Sequence, residues 1–597
     1  MNNTDKILFI PSARKGNGTG HLKRCAFWSS ELPVQNFYIP DGEDSFSPEE
    51  LELITSCCSQ KNIIRKYPGE RWDLIILDNR STTADYLPAE LHDIPIIAID
   101  EAGYWRRHAS FVMDILPGIY GEKNSANRSG LSFMDLPQSR RAAGSRSSEG
   151  IRNVLISFGG EDPAGLTQKI MDSFFLHQSE WSGTFVQGPS FHQDLKEKEN
   201  CPKSIILKSP DNLKNILHHY DLVLTSFGLT AFEALSAGTE VFLINPSEYH
   251  DRLSVKVGFP LLNKGWKKKA SLMLQELDKA LLKGSFFEQN KNLRDSLDLS
   301  HENFSEWLSK LTAVSSTCPV CGGRNNQLLR RYENKSYFRC HSKKCGMVYM
   351  LNFREKQDIY STAYFFEDYK KQYGKTYLQD FEHIKQSGFS RLKNIEKLQF
   401  HHKSLLDIGC AFGPFLSAAA DKGLESYGLD VSEAAVDYIN KNLKGIRAVS
   451  TPFESFNPEE AFNCSGFDII SLWYVIEHFR DPAFVLRRVC ALLNAGGILA
   501  LSTPNGRGVS GTLNRKHFLE ISPDDHYTVW DRNSARKILT NAGFTRIRFV
   551  TTGYHPERIP VKLPFRKIMN KSILLWISKL FRLGDTFEIY AVKKGKS

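Results

Sequence analysis

The sequence predicts a multidomain α/β protein, and three observations predict it. The chain has 597 residues, too many for one hydrophobic core at roughly 100–200 residues per domain. Short apolar runs that end in acidic or glycine-rich turns alternate with helical stretches, the pattern of buried parallel strands joined by helical crossovers. Two such series precede a cysteine-rich insert, and a third follows it.

Hydrophobic residues at 41% and charged residues at 24% are ordinary for a globular protein. The net charge of +10 is not gathered into a Lys/Arg block or a basic-aromatic stripe, so nucleic acid is not the expected partner. Anionic small molecules suit the same mild bias. Met1 to Ile10 contains no basic region leading into an apolar stretch, and the longest apolar candidate, Ile573–Ile577, is far too short to span a bilayer. The expected location is therefore the cytoplasm, with thiols reduced.

Residues 1–146 form the first α/β half, with strands at Lys6–Ile10, Asp73–Leu77 and Ile94–Ile99, the last two followed by Asp78 and Asp100. Glu122 to Asn153, rich in Ser, Arg, Gly and Asn, reads as a connection. Residues 147–295 form a second half with strands at Val154–Ser157, Thr184–Gln187, Ile205–Leu207, Leu222–Thr225 and Val241–Asn245. A charged helical stretch from Ser271 to Leu311 runs into a linker at 296–317. A cysteine module occupies 318–350, an aromatic and helical lead-in (Tyr360 to Tyr377, then a helix to Phe400) occupies 351–402, and a last α/β unit fills 403–597.

In that last unit Leu405–Ile408 is an apolar strand that turns through Gly409 and Gly413 into a helix. Glycine lets a backbone approach a ligand without an intervening Cβ. Asp430 ends the next strand, 21 residues beyond Gly409, a distance at which a carboxylate can accept hydrogen bonds from ribose hydroxyls. The pattern alone admits a dinucleotide enzyme. However, the second glycine lies four residues after the first, which departs from the spacing of a pyrophosphate loop and suits a nucleoside cofactor with no phosphate, S-adenosylmethionine.

From Cys318 onward the chain resembles class I methyltransferases that modify sugars and other small molecules. The resemblance rests on Leu405–Gly413, Tyr427–Asp430, Phe467–Leu472, Tyr474–Pro482, Leu493–Pro504 and the terminal strands Phe544–Val550 and Asp585–Lys593. It implies that Asp407, Gly409 and Gly413 line the methionine end of the cofactor, that Asp430 holds the ribose and that Glu454 lies near the adenine. Methyl transfer from a sulfonium mainly needs positioning, with a base where the acceptor is a hydroxyl. His478, after the fourth strand, is the first candidate for that base. The alternative is that Glu477 and His478 cap or orient the local helix. His526 and Tyr527 match positions that line the acceptor pocket in relatives, against the alternative of a surface loop.

Cys318-Pro-Val-Cys321 and Cys340-His-Ser-Lys-Lys-Cys345 are two cysteine pairs about 20 residues apart, the arrangement of a closed four-thiolate structural zinc site, here a small zinc-ribbon-like module. The longer second spacing leaves His341 as an alternative ligand. Sugar methyltransferases of this kind often carry such a module ahead of a Tyr-Phe-rich stretch like Tyr364–Phe366.

In the first half Gly16 to Cys25 follows a strand and opens a helix, so Gly18 and Gly20 present backbone N–H groups to an anion and His21 faces the cleft between the halves. Ile156–Pro163, with Gly159 and Gly160, and Ser226–Ala234, with Gly228 and Glu233, are further strand-to-helix turns. Together these resemble the UDP-sugar hydrolase of pseudaminic acid synthesis and its spore-coat polysaccharide relatives, which share the two-domain glycosyltransferase B fold. The resemblance implies that His21 activates water at an anomeric carbon and that the second-half glycines and Glu233 hold the nucleotide. Arg24 either contacts substrate or braces the first helix. One departure stands: Asp78-Asn79-Arg80 replaces the family's Asp-Ser-Tyr.

The combined expectation is a bifunctional enzyme of carbohydrate biosynthesis. It uses S-adenosylmethionine and structural zinc, takes a UDP-linked sugar and a sugar-containing methyl acceptor, and leaves the oligomeric state open. The alternatives for the first 295 residues are a glycosyltransferase, or a non-catalytic nucleotide-sugar or glycan-binding module serving the methyltransferase.

Overall fold

The computed structural model describes residues 6–14, 17–32, 36–39, 62–64, 69–70, 72–117, 126–141, 151–177, 181–191, 193–196, 204–210, 212–283, 285–298, 300, 302–309, 317–324, 326–352, 374–398, 402–559 and 571–595. Gly16, the aromatic run Tyr360–Tyr373 and parts of the 122–153 connection lie outside the described residues. Two compact units divide the chain: Met1–Ser316 with Arg331–Glu333, and Thr317–Arg330 with Asn334–Ser597.

The first unit holds two parallel sheets. One contains β1 (Ile7–Pro11), β2 (Asn36–Tyr38), β3 (Asn62–Ile64), β4 (Leu74–Asp78), β5 (Ile96–Ile99), β6 (Phe111–Asp114) and β7 (Arg128–Ser129), in the order β3-β2-β1-β4-β5-β6-β7. β1, β4 and β5 are buried at every residue, as their unbroken apolar sequences require. The other contains β8 (Asn153–Ser157), β9 (Ser182–Gln187), β10 (Ser204–Lys208), β11 (Leu222–Thr225), β12 (Glu240–Ile244) and β13 (Leu261–Leu262), in the order β10-β9-β8-β11-β12-β13. In each sheet the strand order reverses once, between β1 and β4 and between β8 and β11. Loops leaving those strands diverge there and open a crevice at the strands' carboxyl ends.

The expected linker at 296–317 contains a helix, Phe304–Ser309, that packs on the first sheet's side of the unit. Phe304 stacks on Trp28 at 4.3 Å between ring centroids, and Trp307 meets Phe111 and Phe133 at 5.2 and 5.3 Å. Two aromatic residues three apart on one helical face are apolar area that water does not accommodate, so the segment docks rather than links.

The second unit opens with β14 (Asn326–Tyr332), β15 (Lys335–Cys340) and β16 (Val348–Asn352). Its main sheet contains β17 (Ser404–Ile408), β18 (Glu425–Asp430), β19 (Ile446–Ser450), β20 (Phe467–Trp473) and β21 (Leu493–Pro504). After a short β22 (Thr528–Val529) come β23 (Phe544–Thr552) and β24 (Thr586–Lys593), giving the order β19-β18-β17-β20-β21-β24-β23. The first five strands are parallel, and β24 inserts antiparallel between β21 and β23. This too is a Rossmann-like sheet, with its reversal between β17 and β20. Side-chain caps begin its helices: Ser432 Oγ accepts from the Ala435 N–H, Asp481 accepts from the Phe484 N–H at 2.8 Å, and Asp531 and Ser534 form a reciprocal capping box.

β16 pairs antiparallel with β22, joining the cysteine module to the loop region that carries β22. The helix Lys571–Leu580 buries Ser578, half-buries Leu574, Leu575 and Ile577, and leaves Ile573, Trp576 and Leu580 exposed. Among the described residues no helix is long and apolar enough to cross a membrane.

Candidate functional site

The helix Gly20–Ser30 begins just after β1 and carries His21 and Arg24 one turn apart. His21 Nδ1 lies 2.6 Å from Asp78 Oδ1 at the end of β4. Arg24 grips the same carboxylate with Nε at 2.9 Å and Nη2 at 2.7 Å, and reaches Asp100 Oδ2 with Nη1 at 2.8 Å. Arg24 thus ties the first helix to the ends of β4 and β5, its buried guanidinium turned onto two carboxylates. Burial pushes the Asp78 carboxyl up, but Arg24 and His21 outweigh it and hold it at about 2. Burial alone would lower Arg24, and Asp78 and Asp100 instead hold it above its ordinary value. Asp100 sits at φ 50°, a strained conformation for a non-glycine residue, with its other oxygen accepting the Ile115 N–H at 2.8 Å.

The glycine turns meet this site. A Cβ on Gly160 would lie 2.4 Å from Thr19 Oγ1, and one on Gly20 would lie 3.3 Å from Leu229 Cδ1. The loop after β1 thus meets both the loop after β8 and the start of the helix Leu229–Ser236. Gly18 and Gly159 have φ of 76° and 89°, backbone that only glycine adopts readily. Gly228 precedes the helix as its N-cap, with open space where a side chain would be. Glu233, one helical turn on, is pushed up to about 7 by burial, with Lys23 and Lys214 acting in opposition.

In the second unit Gly409 (φ 70°), Ala411 (φ 47°) and Gly413 (φ 77°) fold the loop after β17. A Cβ on Gly409 would meet Val475 Cγ2 at 2.5 Å, so this turn closes against the loop after β20. Asp407 and Asp430 end adjacent strands. Asp407 accepts from Ser471 Oγ at 2.6 Å, and burial pushes its carboxyl up to about 7. Asp430 accepts the Ala411 and Ser432 N–H groups at 2.8 and 2.9 Å, which orients it and leaves lone pairs for a hydroxyl donor. Burial raises its carboxyl as well. The Thr451 N–H donates to the Asp430 carbonyl at 3.1 Å, and Glu454, three residues on, is exposed. Tyr377, Leu378 and Phe381 pack over Ala411, Phe412 and Ala435, so the end of the aromatic lead-in lies against the glycine loop. The glycine-rich loop and the two acids Asp407 and Asp430 at adjacent strand ends have donors and acceptors that fit the amino-acid and ribose ends of S-adenosylmethionine.

Across the reversal point, Tyr474 (φ 59°) begins the loop after β20, and a 3-10 turn Ile476–His478 follows. His478 Nδ1 lies 2.9 Å from Asp525 Oδ2, and the His526 ring stands perpendicular to the His478 ring at 4.6 Å. The Tyr527 N–H donates to the Glu477 carbonyl at 2.8 Å, and Arg480 lies over the Tyr527 ring. The structure thus brings His478 together with the adjacent pair His526 and Tyr527, nearly 50 residues further along the chain. Asp481 caps the following helix, so Glu477 and His478 do not serve as its caps. Burial pushes Glu477 up to about 7 and His526 down to about 3. Burial also disfavours charged His478, but Asp525 and Glu477 outweigh it and raise its pKa. Glu477, His478 and His526 each offer a ligand atom within 4.8 Å of the others, so this corner has the donor set for a cation. The residue that sequence reasoning missed is Asp525; its signal was adjacency to His526 in Pro523-Asp-Asp-His-Tyr.

The Sγ atoms of Cys318, Cys321, Cys340 and Cys345 all lie within 4.8 Å of one another. Cys318 and Cys345 are 3.8 Å apart and Cys321 and Cys340 3.5 Å apart, close to the edge of about 3.8 Å expected for a tetrahedron with Zn–S of about 2.3 Å. His341 points to Gln327 Oε1 at 3.0 Å, which leaves the four cysteines as the donor set. β16 carries this module to the loop of His526 and Tyr527. The Met350 N–H donates to the Tyr527 carbonyl at 2.8 Å, and Lys335 Nζ reaches the Ser522 carbonyl at 2.6 Å and Asp524 at 3.2 Å.

Residues 381–548 match a family described as a methyltransferase domain. An uncharacterized protein of Methanocaldococcus jannaschii is 25% identical over 275 residues, 41% of this chain and 56% of that protein. A ubiquinone biosynthesis O-methyltransferase of Acinetobacter baumannii is 27% identical over 166 residues, 26% of this chain and 68% of the enzyme. The crystal structure of a SAM-dependent methyltransferase from Archaeoglobus fulgidus is similar at 17% identity and a TM-score of 0.28, covering 38% of this chain and 98% of that one. The chain thus spans little more than half the length of the first of these relatives. Residues 381–548 are a class I S-adenosylmethionine-dependent methyltransferase domain.

Proposed function

We propose that the chain is a bifunctional enzyme of carbohydrate biosynthesis, whose second unit methylates a hydroxyl of a sugar or sugar-derived small molecule. The observation that carries the reading is that each unit holds a His–Asp pair at the reversal point of a Rossmann-like sheet: His478 with Asp525, and His21 with Asp78. S-adenosylmethionine, when bound, supplies an electrophilic methyl group. Asp430 would hold its ribose and the Gly409–Gly413 backbone would line its methionine end. His478, beside the Asp525 carboxylate, would take the acceptor hydroxyl's proton. Tyr527 and His526 wall the acceptor side. The O-methyltransferase name of the Acinetobacter relative agrees with an oxygen acceptor.

The first unit is read as a glycosyltransferase B-like pair that hydrolyses a UDP-linked sugar. His21, oriented by Asp78, would activate water at the anomeric carbon while the turns at Gly159, Gly160 and Gly228 and the side chain of Glu233 hold the nucleotide. Zinc, when bound, would close the four cysteines into a structural centre that supports the loop at 522–529 through β16.

A UDP-sugar panel with purified full-length protein tests the first half. UDP release without an acceptor supports hydrolysis, strict acceptor dependence assigns a glycosyltransferase, binding without any release assigns a binding module, and unchanged release by His21→Ala would remove His21 as the base. Label transfer from methyl-labelled S-adenosylmethionine to the sugar product tests the second half; label on water-derived methanol alone would contradict it.

A further inference from the structure

We infer that the exposed face of the helix Lys571–Leu580 is a docking surface for an anionic membrane, on which the second unit rests without spanning it. Ile573, Trp576, Leu580 and the following Phe581 stand at helical spacing i, i+3, i+7 and i+8 and are 41%, 63%, 58% and 67% exposed. Leu574, Leu575 and Ile577 are half-buried and Ser578 is buried, yet these four further large apolar side chains face out. Scattered apolar residues on a surface need no explanation, but a contiguous stripe on one short helix marks a contact.

Charge identifies the partner. From Arg558 to Arg582 the sequence carries seven Lys or Arg residues and no Asp or Glu. Exposed Lys579 and Arg582 sit on or just beyond the helix itself. A two-fold contact with a second copy would bring two such cationic segments together. Nucleic acid would match the charge but offer nothing to Ile573 or Leu580. An anionic bilayer offers both an acyl boundary for the apolar stripe and phosphate headgroups for the flanking bases, and a tryptophan at that boundary has one apolar and one polar edge to satisfy. A helix of 10 residues is about 15 Å long, which suits lying in the interface and not crossing it.

Flotation of the full-length protein with vesicles tests this, using phosphatidylcholine alone and phosphatidylcholine mixed with phosphatidylglycerol. The expected result is about tenfold or greater partition onto the phosphatidylglycerol vesicles, falling as salt rises. W576E/L580E should abolish the partition, and K579E/R582E should erase the preference for anionic vesicles, both with unchanged melting and unchanged S-adenosylmethionine binding. Wild-type protein that stays in solution with both vesicles would overturn the inference. So would equal binding of wild type and W576E/L580E, or an effect of that variant on self-association alone.

Discussion

His478 Nδ1 lies 2.9 Å from the Asp525 carboxylate, a contact between the loop after β20 and the loop before β22. The two acids Asp525 and Glu477 favour the protonated ring and raise the His478 pKa against its burial.

Replacing His478 with Ala should lower kcat for methyl transfer by roughly 10²–10⁴-fold, the usual contribution of a general base, while S-adenosylmethionine affinity stays near wild type. Asp525→Asn should cost less, about 10-fold or more. Steady-state kinetics with calorimetry on the same preparations separates the two effects; a fall in cofactor affinity equal to the fall in kcat would assign His478 to cofactor binding.

The pH profile follows from the direction of the His478 shift. Asp525 and Glu477 raise it above the ordinary histidine value despite burial, and a base works only when deprotonated. The rising limb of kcat against pH should therefore lie above about 6.5 and move to lower pH in Asp525→Asn. A limb that does not move in that variant would remove His478 from the titration.

In the first unit, His21→Ala should reduce UDP release by roughly 10²–10⁴-fold. Asp78→Asn should do more damage, because it disorients His21 and strips buried Arg24 of one of its two carboxylates. Breaking a buried charge pair costs about 3–5 kcal/mol. Urea unfolding should show that loss in Asp78→Asn and little of it in His21→Ala.

Acid should act on the same trio. Asp78 is held at about 2 against an ordinary 3.8, so the folded state binds its proton less tightly than the unfolded state does. Its stabilisation, on the order of 2 kcal/mol, is present above pH 3.8 and is lost as pH falls toward 2. Arg24→Gln, which relieves that depression, should lower stability at neutral pH and flatten its fall between pH 3.8 and 2; an unchanged slope of stability against pH in that window would contradict it.

Metal removal should silence the acceptor side first. One zinc per chain is expected by elemental analysis, lost in Cys340→Ser. Because β16 pairs with β22, the loss should loosen the loop carrying Asp525 and His526 and lower kcat, with cofactor affinity retained. Hydrogen exchange at 522–529 that is unchanged in Cys340→Ser would contradict the coupling.

Much of this architecture was legible because parallel strands buried on both faces leave continuous apolar runs, as at Ile7–Pro11 and Leu74–Asp78. Glycine turns were legible for a related reason, since Gly18, Gly159, Gly409 and Gly413 need positive φ. What pairs across the sheet was not. Asp78 reaches His21 over 57 residues, and Asp525 reaches His478 over 47, contacts set by strand order and not by any local spacing. Arg24 shows the same gap: its position on the first helix was plain, but only the ends of β4 and β5 reveal that it braces. The helix Phe304–Ser309 and the β16–β22 pairing escaped because a linker composition and a cysteine spacing say nothing of what docks on them.

Calorimetric titration of the full-length protein with S-adenosylmethionine tests the central claim most directly. The account predicts one site per chain, with Asp430→Ala weakening it about tenfold or more, the cost of a lost charged hydrogen bond at about 1.5–3 kcal/mol. Well-folded protein that gives no binding heat, or Asp430→Ala with wild-type affinity, would contradict it.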